Sequence, residues 1–140
     1  MEGHILIIDD EASLRQTMAR ILQRAGYEVT TAADGKEGLA LVSEQAFDLV
    51  YSDIRMPDLN GDAVLAEMKR MTPLVRAIMV TAYGTVNTAV EVMKLGADDF
   101  LEKPVDLTAL LEKIRMIEHR LGIAEDAADV AEAMDRRPLP

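Results

Sequence analysis

Three aspartates, a threonine and a lysine in this 140-residue chain stand where short apolar runs stop. Leu49-Val50-Tyr51-Ser52 runs into Asp53, and Ile5-Leu6-Ile7-Ile8 runs into Asp9-Asp10. Ala77-Ile78-Met79-Val80 runs into Thr81, and Phe100-Leu101-Glu102 runs into Lys103-Pro104. Brought together, these groups could hold a divalent cation and a phosphoryl group. A hard cation such as Mg²⁺ (or Mn²⁺) takes carboxylate and carbonyl oxygens, keeps several waters and often uses a substrate phosphate as a ligand. Asp9, Asp10 and Asp53 can supply such oxygens. Crowded acids repel one another, and a cation relieves that repulsion. A carboxylate can also attack phosphorus to give an aspartyl-phosphate, with Lys103 and the Thr81 hydroxyl neutralising and orienting the phosphoryl oxygens.

Taken singly, each group has a plainer reading. Acids after a strand commonly cap the next helix, and a lone aspartate before a proline suits a turn. Thr81 alone is a β-branched residue at a strand end, and Lys103 alone a solvated lysine before a turn. The combination is far more specific than its parts.

The elements that must position these groups follow from periodicity. Apolar runs of about four residues bounded by turn signals read as short buried strands, and open α/β sheets carry ligand sites at the carboxyl ends of strands. Ser13-Leu14-Arg15-Gln16 matches a capping box. Leu14, Met18, Ile21, Leu22 and Ala25 follow at helical spacing, with Gly26 suited to the C′ position. Residues 27–32 read as the second strand. Asp34-Gly35-Lys36-Glu37 opens a helix with Leu39, Val42 and Ala46 inward. Pro57 and Gly61 bound a loop before a helix carrying Val64, Leu65, Met68 and Met71, which Thr72-Pro73 ends. Gly84-Thr85 precede a short helix with Val86, Ala89, Val90 and Met93, closed by Gly96. Asp106 can cap a last helix through Leu107, Leu110, Leu111, Ile114, Ile117 and Leu121. Five strands alternating with five helices require right-handed crossovers and a parallel sheet covered on both faces.

Composition narrows the functional classes. The length favours one domain with a real core. Two phenylalanines, three tyrosines and no tryptophan make that core mostly aliphatic, and the absence of cysteine excludes disulfides and thiolate metal sites. No apolar run approaches the roughly 18 residues of a membrane span. A strand starting almost at the amino terminus leaves no room for a signal peptide, so a cytoplasmic location is expected. Nucleic-acid binding draws affinity from Lys and Arg neutralising phosphates, and the net charge here is −10. Direct DNA binding by this chain is not expected.

Quoted together, Ile7-Ile8-Asp9-Asp10-Glu11, the stretch from Ser52-Asp53-Ile54-Arg55-Met56-Pro57 to Gly61, Val80-Thr81-Ala82-Tyr83-Gly84 and Gly96-Ala97-Asp98-Asp99-Phe100-Leu101-Glu102-Lys103-Pro104 closely resemble the receiver domain of two-component response regulators. The resemblance covers residues 4–121 in order and spacing. Thr81-Ala82-Tyr83-Gly84 and residues 88–103 look most like receivers of enhancer-binding transcription activators of the nitrogen-regulation type. The resemblance implies a flavodoxin-like five-stranded parallel sheet, order 2-1-3-4-5, with five flanking helices. It implies that Asp53 accepts a phosphoryl group from a sensor histidine kinase. Asp10, Asp53 and the backbone carbonyl of Arg55 would ligate Mg²⁺, and Asp9 would hold one of its waters. Lys103 would contact the phosphoryl group and Thr81 would be the switch hydroxyl. Phe100 stands at the switch aromatic, often tyrosine in the family, so switching would rest on ring burial alone. Arg55 and Tyr83 sit where the family tunes dephosphorylation. A cis Lys103-Pro104 bond is implied as well. The output would be read from the face of helix 4, strand 5 and helix 5.

Other classes fit less well. A haloacid-dehalogenase-type phosphatase needs an acid two residues after its nucleophile, where this chain has Arg55, and a nucleotide-binding reading lacks its glycine-rich loops. A receiver used only as an unphosphorylated docking module is opposed by the intact acid, threonine and lysine set. No enzymatic activity beyond self-phosphorylation and dephosphorylation is expected. Residues 1–121 read as the domain and 122–140 as an acidic helical extension or linker toward an output domain. Leu110, Ile114, Ile117 and Leu121 repeat at heptad spacing and Ala124, Ala128 and Ala131 continue it, as a coiled-coil seam requires. Ile123, Ala127, Val130 and Met134 share the period. A helix continuing past Gly122 and a homodimer through it are expected, although Gly122 costs about 1 kcal/mol in a helix.

Overall fold

Strands β1 (His4–Ile8), β2 (Glu28–Ala32), β3 (Leu49–Asp53), β4 (Arg76–Thr81) and β5 (Asp99–Glu102) form one parallel sheet in the order β2-β1-β3-β4-β5. The computed structural model describes residues 3–82 and 86–125. Between the strands run α1 (Ala12–Arg24), α2 (Gly35–Glu44), α3 (Gly61–Met71) and α4 (Val86–Lys94), with α5 (Leu107–Glu125) last. This is the parallel sheet covered on both faces that the alternation of elements predicts, in the flavodoxin-like order that the receiver resemblance implies.

The apolar runs form strands because both faces of the sheet are covered. On one face Ile5, Ile7, Tyr51 and Ile78 pack with Met18 and Leu22 of α1 and Leu110, Ile114 and Ile117 of α5. On the other, Leu6, Ile8, Val50 and Met79 pack with Val42 of α2, Val64, Leu65 and Met68 of α3, and Val92 of α4. Register then brings the strand ends to one edge. Ile8 lies opposite Ser52, Asp53 opposite Val80, and Thr81 opposite Glu102.

Helix ends are set by local chemistry. Gly26, with φ +102°, closes α1: its N–H donates to the Gln23 carbonyl and that of Tyr27 to the Leu22 carbonyl, both at 3.1 Å. Asp34 caps α2 by accepting the Glu37 N–H at 2.8 Å. Asp106 caps α5 by accepting the Thr108 N–H at 2.9 Å.

Four expectations are corrected. Ser13 is not the cap of α1: the helix starts at Ala12 with Glu11 at the cap position, and no side chain caps it. Asp9 Oδ1 takes the Glu11 N–H instead, starting the helix one turn's fraction earlier. Ala46 lies beyond the end of α2 and is exposed. In α4, Val90 and Met93 are 44% and 46% exposed while Val92 is buried, because this nine-residue helix carries apolar residues on two sides and only one meets the sheet. Leu110, Ile114 and Ile117 are only 1%, 3% and 5% exposed and face the domain's own core. Heptad spacing and the core-facing stripe of an amphipathic helix are nearly the same pattern. The helix itself runs through Gly122 to Glu125, and the alanine positions further on lie outside the described residues.

Candidate functional site

Each site residue is delivered by a strand end. Asp9 follows β1, its N–H bonded to the Ala32 carbonyl at 3.2 Å, so the ladder with β2 continues one residue past the strand. Asp53 is the last residue of β3 and Thr81 of β4. The Lys103 N–H donates to the Thr81 carbonyl at 2.9 Å, which fixes where the lysine leaves β5, and the Lys103-Pro104 bond is cis.

These placements converge. The carboxylates of Asp9, Asp10 and Asp53 offer ligand atoms within 4.8 Å of one another. Asp9 and Asp53 are buried and Asp10 is exposed. Lys103 Nζ donates to Asp53 Oδ2 at 2.7 Å and stands 3.3 Å from both Asp9 Oδ2 and Glu11 Oε1. The Arg55 N–H donates to Asp53 Oδ1 at 3.1 Å, so both oxygens of that carboxylate are held. Thr81 is buried beside a cleft of about 440 Å³ that Arg55, Thr88 and Glu91 also line. Phe100 is half-buried against the core beneath α2, α3 and α4. Tyr83 lies outside the described residues.

Electrostatics follow from burial and partners. Burial pushes the Asp9 carboxyl above its ordinary value; the Glu11 amide and Lys103 pull it back, and the Asp53 charge adds to the rise. Burial opposes the Lys103 ammonium, but the hydrogen bond to Asp53 and the charges of Asp9 and Asp53 win and raise its pKa. One lysine is thus shared by three acids, and buried Asp9 Oδ2 has no hydrogen bond of good geometry. This donor set fits a hard divalent cation, which prefers oxygen ligands and would supply the missing positive charge.

The periodicity argument missed three contributors. Glu11 reaches Lys103 although it precedes α1. Asp58, between Pro57 and Gly61, accepts the N–H groups of Gly35 at 3.1 Å and Lys36 at 2.9 Å, tying the loop after Asp53 to the start of α2. Those bonds hold its carboxyl below its ordinary value despite some opposing burial. Gly61 packs so closely that an added Cβ would lie 2.5 Å from the Asp53 carbonyl oxygen. The glycine after a Pro-Asp loop was the available signal for that approach.

The chain belongs to the response regulator receiver domain family, which matches residues 5–115. Among relatives, the transcriptional regulatory protein ZraR of Escherichia coli K12 is 39% identical over 131 residues, covering 91% of this chain and 30% of ZraR. FixJ of Bradyrhizobium diazoefficiens, also a transcriptional regulatory protein, is 40% identical over 134 residues, covering 93% of this chain and 65% of FixJ. The chain therefore spans under a third of ZraR and about two thirds of FixJ. Both relatives are named transcriptional regulatory proteins, in keeping with the resemblance to receivers of transcription activators. A CheY-like receiver domain protein from Methanospirillum hungatei superposes with a TM-score of 0.81 at 36% identity, covering 85% of this chain and 96% of that one. A Burkholderia pseudomallei response regulator, solved with a phosphorylated aspartic acid, calcium ion and citrate, gives a TM-score of 0.77 at 28% identity, covering 99% and 78%.

Proposed function

We propose that this receiver domain is a phosphoacceptor: Asp53 takes a phosphoryl group from a sensor histidine kinase and passes the change to an output domain or partner. The observation that carries this reading is the Asp53 carboxylate itself, at the end of the central strand with Lys103 Nζ 2.7 Å from one oxygen. A relative solved with a phosphorylated aspartic acid and a calcium ion supports it. In the transfer, an Asp53 oxygen forms a bond to phosphorus as the bond from phosphorus to the donor histidine nitrogen breaks. The imidazole leaves with the electron pair and later takes up a proton. Lys103 then pairs with a phosphoryl oxygen in place of the carboxylate.

Asp10, Asp53 and the Arg55 carbonyl would hold Mg²⁺, with Asp9 holding one of its waters; when bound, the ion neutralises charge on the phosphoryl oxygens. The chain acts on its own aspartyl-phosphate and is not an enzyme toward other substrates. Arg55, and Tyr83 by its place in the sequence, would shield the bond from water.

Thr81 would turn toward the new anion and Phe100 would move further inward, altering the face of α4, β5 and α5. Val90 and Met93 already expose apolar surface there. Pairing of two copies through α5 would use its exposed side around Met116, since the heptad stripe is occupied by the core. Among the described residues no helix is long and apolar enough to cross a membrane; a cytoplasmic location is the reading that goes with a kinase partner. DNA reading belongs to an output domain, as the net charge of −10 favours no contact with phosphates here.

Incubation with acetyl phosphate and Mg²⁺, followed by intact-mass spectrometry, tests the assignment. The parent gains one phosphoryl group and Asp53→Asn gains none. Full labelling of Asp53→Asn would overturn it.

A further inference from the structure

Two buried side-chain polar atoms among the described residues make no hydrogen bond: Asp9 Oδ2 and the Tyr51 hydroxyl. Burying a phenol without a partner is unfavourable compared with phenylalanine at the same place. Core filling alone therefore gives no reason for the oxygen, and Tyr51 is 1% exposed.

The fold places the two groups together. Tyr51 of β3 pairs with Ile7 of β1, and Asp9 is two residues beyond Ile7 on a ladder that continues through its N–H. Alternation along a strand then puts Ile7, Asp9, Tyr51 and Asp53 on one face of the sheet, with Tyr51 and Asp9 as diagonal neighbours. Both residues are buried, and each carries one of the two polar atoms left without a hydrogen bond. A phenol carries its proton at neutral pH and is available as a donor.

Resting on the phosphoacceptor reading above, we propose that Tyr51 is a positioning residue of the acidic site: its hydroxyl donates through one water to Asp9 Oδ2 and fixes the carboxylate beside the divalent cation. A buried water typically makes about three hydrogen bonds, and the Tyr51 hydroxyl and Asp9 Oδ2 supply two of its partners. The link orients Asp9 toward the ion without touching the phosphoryl group.

Tyr51→Phe removes the oxygen and little else. Calorimetric titration with Mg²⁺ alone is expected to show affinity about tenfold weaker than the parent, in the range that outer partners of metal ligands command. The melting temperature without Mg²⁺ stays near that of the parent. With no tryptophan in the chain, tyrosine emission is directly visible, and the change it shows on adding Mg²⁺ shrinks in the variant. In combination with Asp9→Asn the two losses fall short of additive. Equal Mg²⁺ affinity in parent and Tyr51→Phe would overturn the role of Tyr51 while leaving the phosphoacceptor reading intact. So would additive losses, or a fall in stability without Mg²⁺ large enough to account for the weaker binding. A parent that binds no Mg²⁺ would overturn both.

Discussion

Lys103 Nζ stands 2.7 Å from Asp53 Oδ2, reaching from the end of β5 past the end of β4 to the end of β3. Both side chains are largely buried, at 12% and 7% exposure. Removing one partner of such a pair leaves an uncompensated charge, which costs about 3 kcal/mol or more. Lys103→Met is therefore expected to lower the urea midpoint in the absence of divalent ions. Mg²⁺ then raises the midpoint more in the variant than in the parent, because a bound cation supplies the charge the lysine gave. An unchanged midpoint without metal would show that the pair does not stabilise the fold.

At Gly61 the obstacle to a side chain is backbone. An added Cβ would meet the Asp53 carbonyl oxygen and Ile54 Cα, each at 2.5 Å, and neither can swing aside. Gly61→Ala is expected to destabilise by about 3 kcal/mol. The clash falls on Asp53's own peptide, so acetyl-phosphate labelling of the fraction that remains folded should also slow. Normal labelling per folded molecule would mean that the loop relaxes away from Asp53.

The Tyr27 hydroxyl donates to Glu118 Oε2 at 2.6 Å, linking the start of β2 to α5. Burial, then the hydrogen bond and charge of Glu118, push this phenol up from 10.0 to about 12. Between those values the unfolded chain has lost the proton and the folded chain keeps it. Folding then binds more protons than unfolding, so stability falls as pH rises through the window. Thermal melts of the parent should show that alkaline fall, and Tyr27→Phe should show less of it. Parallel curves for the two proteins would rule out this source.

On α4 the exposed pair Val90 and Met93 offers a test of output without damage to the site. Val90→Asp and Met93→Asp should leave unfolding within about 0.5 kcal/mol of the parent, as exposed positions usually do. Acetyl-phosphate labelling should also be unchanged. In the parent, a phosphate mimic should shift amide signals of α4 and β5 more than those of α1 and β2. Equal shifts throughout would argue against a localised switch face.

Asp9, Asp53, Thr81 and Lys103 were legible because parallel strands covered on both faces read as unbroken apolar runs. A polar residue ending such a run is conspicuous. The bridge from Asp58 to α2, the reach of Glu11 and the closeness of Gly61 were not legible, since each depends on a loop path that tertiary packing decides. In α4, apolar residues lie on two sides of nine positions, so spacing alone could not choose between Val90 and Val92. In α5 one stripe satisfied two patterns, and only the sheet beneath Leu110 and Ile114 distinguishes them.

The nineteen residues of α5 begin four positions after Lys103. At 1.5 Å per residue that is a rod about 28 Å long, rooted close to the lysine. A tilt of about 5° about that root would carry the far end through about 2 Å. The leverage works in both directions: whatever grips the outer turns of this rod applies torque to the segment that holds Lys103 against Asp53. A covalent neighbour fused beyond the rod is thus mechanically in line with the phosphoacceptor, with no contact to it at all.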